Sequence, residues 1–196
     1  MEKNVQSQSI LRLTFKRDQS PPPAPHAPIQ RIMIPSSNGE LELLYAQPEY
    51  PTEKQLMPPL FFVHGGFGCA AVWNEYMTFL SSSPYNIPCY AVSLRGHGAS
   101  WSPSYLRMVY GTSKRSLADD IVTGVEYVQK AEDNRTKDHT GSHEPMRVLL
   151  VAHANGGGLA QLALDNGDLQ VRGLALLDSA PNFGMYVYKP FCVLGE

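Results

Sequence analysis

Charged residues are scarce in this chain. They make up 17% of its 196 residues and nearly cancel, 16 Lys+Arg against 18 Asp+Glu, for a formal net charge of −2. The share falls below the ~25% of an average globular chain. No run of Lys or Arg gathers the positive charge, so the basic face that nucleic acid or an anionic membrane surface requires is missing, and neither is expected as a main partner. Cysteine is nearly absent. Cys69, Cys89 and Cys192 form no CxxC pair and have no histidine at ligand spacing, which argues against a disulfide framework and a zinc site. They read as small buried hydrophobes, and no metal or cofactor is expected. No apolar run reaches the ~18 residues that span a bilayer. Met1 to Ser20 lacks the continuous apolar core of a signal peptide, so the cytosol is the expected location. Histidine is missing from one stretch that matters: the six stand at 26, 64, 97, 139, 143 and 153, and none comes later.

Proline is abundant and unevenly placed, with ten of 16 between Pro21 and Pro59. The stretch from Ser20 to Pro28 cannot be helical, so residues 1–28 are expected to form a flexible Pro-rich segment ahead of a domain at 29–181 and a short tail at 182–196. Within the domain, Ile29 to Ile34 and Glu40 to Ala46 are β-prone runs joined by a turn containing Asn38-Gly39, which predicts a hairpin. Four short apolar runs follow, at Leu60 to Val63, Cys89 to Leu94, Val148 to Ala152 and Gly173 to Leu177, each suited to a buried parallel strand. Helical spacing of Leu117, Ile121, Val125 and Val128 predicts a helix over Ser116 to Ala131. The polar stretch Glu132 to Pro145 reads as a surface loop, with His139 and His143 as solvated side chains. Strands alternating with helices predict a mostly parallel sheet covered on both faces.

Three glycine-rich motifs each follow one of these strands. His64-Gly65-Gly66-Phe67-Gly68 can turn backbone N–H groups toward one point, where they would stabilise an oxyanion. Ser93-Leu94-Arg95-Gly96-His97-Gly98-Ala99-Ser100 reads as a tight turn, with Arg95 tying down loop carbonyls or a carboxylate. The third motif runs from the strand Val148 to Ala152 through His153-Ala154-Asn155 into Gly156-Gly157-Gly158. There a strand enters, small residues flank a sharp turn, and a helix leaves with glycines toward the sheet, the geometry of a nucleophile elbow.

In this order the three motifs resemble the α/β-hydrolase superfamily of esterases, lipases and related enzymes over roughly Ile29 to Pro181. The resemblance implies an α/β fold: a partial α/β-hydrolase fold, its mostly parallel sheet flanked by helices on both faces and preceded by an antiparallel hairpin. It also implies an oxyanion hole at Gly66 or Phe67 together with Asn155, and a small apolar carbonyl compound as ligand. The elbow template places the nucleophile at Ala154, which has no atom able to attack a carbonyl; shifting the frame by one residue gives Asn155 and again no nucleophile. The order serine, acid, histidine along the chain has no histidine to complete it, and Asp178 is the one weak candidate for the acid. The family pattern has about eight strands against the six found by Leu177. The resemblance therefore implies a C-terminally truncated domain of hydrolytic ancestry, inactive by the serine route, whose strand 173–177 is open to self-association.

Overall fold

A computed structural model describes residues 22–50, 57–137 and 145–181 of the chain. Its strands are β1 (Gln30–Ser36), β2 (Gly39–Ala46), β3 (Leu60–Val63), β4 (Cys89–Val92), β5 (Leu149–His153) and β6 (Gly173–Leu177). Between them lie a 3-10 turn (Ala70–Trp73) leading into α1 (Asn74–Ser81), then α2 (Tyr105–Tyr110), α3 (Lys114–Lys137) and α4 (Asn155–Asp165). β1 and β2 form the hairpin expected at Asn38-Gly39, with Ser36 opposite Gly39. β2 runs antiparallel to β4, and from there the sheet is parallel in the order β1-β2-β4-β3-β5-β6. Because β3, β4, β5 and β6 are mutually parallel, their C-terminal ends share one edge of the sheet. All three glycine motifs emerge there.

Alternation along the strands builds two cores. Phe61 and Val63 of β3 and Tyr90 and Val92 of β4 pack on one face with Ile121, Val125 and Val128 of α3 and Leu159, Ala160 and Ala163 of α4. Leu60, Phe62, Cys89 and Ala91 face the other way, onto Ala70, Trp73 and Met77. The stripe foreseen from sequence is thus the buried face of α3. The helix is longer than its apolar spacing suggests: Glu132 to Lys137, expected as loop, continue it. The cause lies outside the segment. Glu132 is buried, accepts a hydrogen bond from the Tyr90 hydroxyl, and pairs with Arg135 one turn on, Nη2 to Oε2 at 2.6 Å. Burial and the Glu132 carboxylate push the Tyr90 phenol well above its usual range, so it remains the donor. His139, His143 and the tail from Tyr186 to Leu194 lie outside the described residues.

The Arg31 guanidinium holds the end of the Pro-rich stretch against β1, donating to the carbonyls of Pro22 and Pro23 at 3.1 and 2.8 Å. At the opposite edge, β6 is paired on one side among the described residues, and Leu176 and Leu177 are each 43% exposed.

A buried ion pair joins the loop after β4 to α3. Arg95 donates through Nε and Nη2 to the two Asp120 carboxylate oxygens at 2.9 and 2.7 Å, while its own backbone N–H donates to Asp120 Oδ2. The guanidinium also lies over the Trp101 ring, 5.3 Å from its centroid. This is the carboxylate anchoring foreseen for Arg95. Removing one partner leaves a buried charge alone, so Asp120→Ala should lower unfolding free energy by about 3–5 kcal/mol, measurable by urea denaturation.

Candidate functional site

Ala154 sits at the bend between β5 and α4 with φ 49° and ψ −122°. That region suits glycine and costs a residue with a Cβ on the order of 1–3 kcal/mol. The bend is held from outside. The Ala154 N–H donates to the Leu177 carbonyl at 3.1 Å, and the Gly157 N–H donates to the Ala154 carbonyl at 3.1 Å. Two glycines then let α4 approach the sheet. A Cβ on Gly156 would overlap the His64 carbonyl oxygen, and one on Gly157 would overlap Ser179 Oγ. Gly158 is different, since a Cβ there would meet only the Ala180 carbonyl at 3.6 Å.

The glycine loop after β3 closes over this bend. A Cβ on Gly65 would lie 3.2 Å from that of Ala154, and one on Gly66 would lie 2.9 Å from Asn155 Nδ2. Gly66 and Asn155, two of the three positions implied as oxyanion donors, are thus neighbours beside Ala154. The third, Phe67, follows in the same turn, which the Gly68 N–H closes onto the Gly65 carbonyl at 3.1 Å; its side chain is 89% exposed. Asp178, directly after β6, adopts a positive φ of 44° and is exposed. Its carboxylate bonds to none of the described residues, and the same holds for the exposed ring of His153.

His64 is fully buried and already committed. Its Nε2 accepts from the Leu94 N–H at 3.1 Å, which leaves the proton on Nδ1 to be donated to the Gly65 carbonyl at 2.7 Å. Burial, with a smaller push from His97, brings its pKa down to about 4 against the Gly65 hydrogen bond that raises it. The ring is neutral and has no lone pair to offer as a base.

Several side chains that sequence patterns did not single out support the loops. Glu42 of β2, buried, accepts from Arg31 Nε at 2.6 Å, from Ser93 Oγ at 2.6 Å and from the Ala99 N–H at 3.0 Å. Ser93 Oγ in turn accepts from the Ala70 N–H at 2.9 Å, linking the loop after β4 to the start of the 3-10 turn. Gln161 of α4 donates to the Gly157 and Ala180 carbonyls, both at 3.1 Å. No sequence signal marks Glu42: its partners stand 11, 51 and 57 positions away. Among the described residues no cluster of His, Cys, Asp and Glu could hold a metal ion, and no helix is long and apolar enough to cross a membrane.

A mixed sheet in this order, with a strained strand-to-helix bend under a glycine loop, defines a protein built as an α/β hydrolase. Residues 60–194 match the profile of the Alpha/beta hydrolase family, and the chain belongs to that family. Solved structures agree on the fold. A Nostoc sp. PCC 7120 protein described as of the α/β-hydrolase kind is 25% identical, with a TM-score of 0.55, covering 79% of this chain and 44% of that one. An epoxide hydrolase from Vigna radiata is 18% identical, TM-score 0.54, covering 76% of this chain and 38% of that one. A haloalkane dehalogenase loop variant from Bradyrhizobium elkanii is 22% identical, TM-score 0.51, covering 76% and 39%. This chain therefore spans less than half the length of these solved relatives. No curated protein matches it.

Two outcomes follow from the site. Ala154→Gly relieves a strain of about 1–3 kcal/mol at the cost of about 0.4–1 kcal/mol in unfolded-chain entropy, so thermal unfolding should show a gain on the order of 1 kcal/mol. His64 is protonated more readily in the unfolded chain (pKa ~6.5) than in the native one, so its contribution to stability is complete above pH ~6.5 and lost as pH falls toward about 4. Urea unfolding between pH 7 and 4 should show an acid loss smaller by on the order of 3 kcal/mol in His64→Asn than in the parent chain.

Proposed function

We propose that this chain is a protein of hydrolytic, ester- or acyl-type ancestry that keeps a site for a small apolar carbonyl compound and does not turn it over by the serine mechanism. One observation carries the reading: the residue at the strained elbow is Ala154. An alanine methyl has no lone pair, so no acyl-enzyme bond can form there, whatever acid or base is supplied from elsewhere. The neighbouring groups support the binding half. Gly66 lies against Asn155 beside Ala154, and Phe67 follows Gly66 in the same turn, which supports reading them as oxyanion donors; donors of this kind retain about 10³-fold over water when a triad is deleted. His64 supplies no base, since both its nitrogens are bonded, and Asp178 has no imidazole to orient. Epoxide, haloalkane and ester chemistry share this fold, so the fold alone does not choose the ligand; the carbonyl class rests on the reading of Gly66, Phe67 and Asn155 as oxyanion donors.

A second reading, an active hydrolase whose chain is altered or incomplete, is favoured by the coverage of 38–44% of the solved relatives. The two readings separate experimentally. Under the first, a fluorophosphonate probe labels no serine, activated esters give no burst, and ethyl butyrate binds saturably without hydrolysis. Ala154→Ser should remain within about tenfold of the parent rate, because an unactivated hydroxyl lacks the 10²–10⁴-fold that a general base contributes. Stoichiometric labelling of the parent chain, or a gain of several orders of magnitude in Ala154→Ser, would overturn it.

A further inference from the structure

His97, in the loop after β4, reaches across to the glycine loop after β3. Its Nδ1 lies 3.0 Å from the Arg95 carbonyl oxygen and its Nε2 lies 3.1 Å from the Gly66 carbonyl oxygen. Both partners are acceptors only. A neutral imidazole carries one N–H and can satisfy one of them, whereas the doubly protonated ring donates to both. The second bond is then charge-assisted and stronger than a neutral one.

The carbonyl at the far end belongs to a peptide unit with a second role. Gly66 C=O and Phe67 N–H are parts of one planar trans peptide and point in opposite directions. Fixing the carbonyl on His97 therefore fixes the direction of the Phe67 N–H, one of the donor positions of the site. We infer that His97 is a positioning residue, a protonation-dependent clamp that bridges the two loops when its ring is doubly protonated and so sets the direction of the Phe67 N–H. The consequence for ligand binding rests on the reading of Phe67 as a donor; the bridge itself does not.

Most of the polar groups around the clamp are already partnered. From the end of β3, the His64 ring packs at 4.9 Å between centroids and stays neutral, because its lone pair is taken by the Leu94 N–H. Arg95, on the same loop as His97, is matched by Asp120 of α3. Glu42 of β2 reaches the loop at Ala99 and is matched by Arg31. From the end of β5, His153 approaches the glycine loop at Gly65, its Nδ1 3.1 Å from where a Cβ would stand. His153 is a further imidazole at this loop with no hydrogen-bond partner among the described residues, so a test must separate the two rings.

NMR on the full chain does so, following the Phe67 amide and the ring signals of His97 and His153 from about pH 5 to 8, the window in which imidazoles change charge. The Phe67 amide shift should follow the His97 curve and not that of His153. In His97→Gln, whose side-chain amide can hold one carbonyl without titrating, the Phe67 amide should become flat across the same range. A Phe67 amide that is flat in the parent chain overturns the clamp, as does one that tracks His153 or keeps its titration in His97→Gln. A His97 ring that never becomes doubly protonated in this range overturns it too. The clamp and the ligand reading fail separately: a flat Phe67 amide removes the clamp whatever the site binds, and failure of ethyl butyrate to bind removes the ligand reading whatever Phe67 does.

Discussion

The first turn of α4 presses on the sheet so closely that two successive positions have no room for a side chain. Gly156 faces the His64 carbonyl just after β3, and Gly157 faces Ser179 after β6. Each glycine costs a helix roughly 1 kcal/mol relative to alanine. The burial of Leu159, Ala160 and Ala163 farther along the same helix offsets that cost. The rest of the site follows from this contact. With the helix this near, the chain leaving β5 must reverse within one residue, which forces Ala154 into its bend. The same proximity brings the glycine loop over that bend and places Gly66 against Asn155.

The loops at this edge of the sheet are held by side chains drawn from different layers. Glu42 reaches them from β2, His64 from the end of β3 and Asp120 from α3, and each accepts from a backbone N–H, Glu42 and Asp120 from side chains as well. Buried polar groups are costly unless satisfied, and networks of this kind specify one arrangement of loops more sharply than apolar packing does. The bend at Ala154 draws on that rigidity. Nothing in the alanine itself favours a positive φ, so the surroundings impose the conformation and keep imposing it with no hydroxyl present.

What was legible in the sequence was local. Asn38-Gly39 announces the hairpin, the four apolar runs give the parallel strands to within two residues at their ends, and the three glycine motifs mark the loops that converge. Gly156, Gly157 and Gly158 read as the close-approach face because they follow a sharp turn out of a strand, and the first two are, while Gly158 has room for a side chain. What escaped depends on partners far along the chain. Glu132 extends α3 because the Tyr90 hydroxyl, 42 positions away, donates to its carboxylate; its own neighbours spell a loop. Glu42 looks like an ordinary strand residue until Ser93 and Ala99 are folded onto it. The commitment of His64 was equally hidden: its burial and its two backbone bonds, to Leu94 and Gly65, appear only in the folded chain.

The backbone ladder between β3 and β4 ends at Val63 and Val92. Two residues farther on, the Leu94 N–H still finds an acceptor, supplied by the His64 ring and not by a main-chain carbonyl. The imidazole thus substitutes for a strand residue, and the parallel pair is one rung longer than its backbone. The glycine loop and the Arg95 loop consequently leave the sheet in a shared register, set by a side chain whose neutral form behaves as fixed framework.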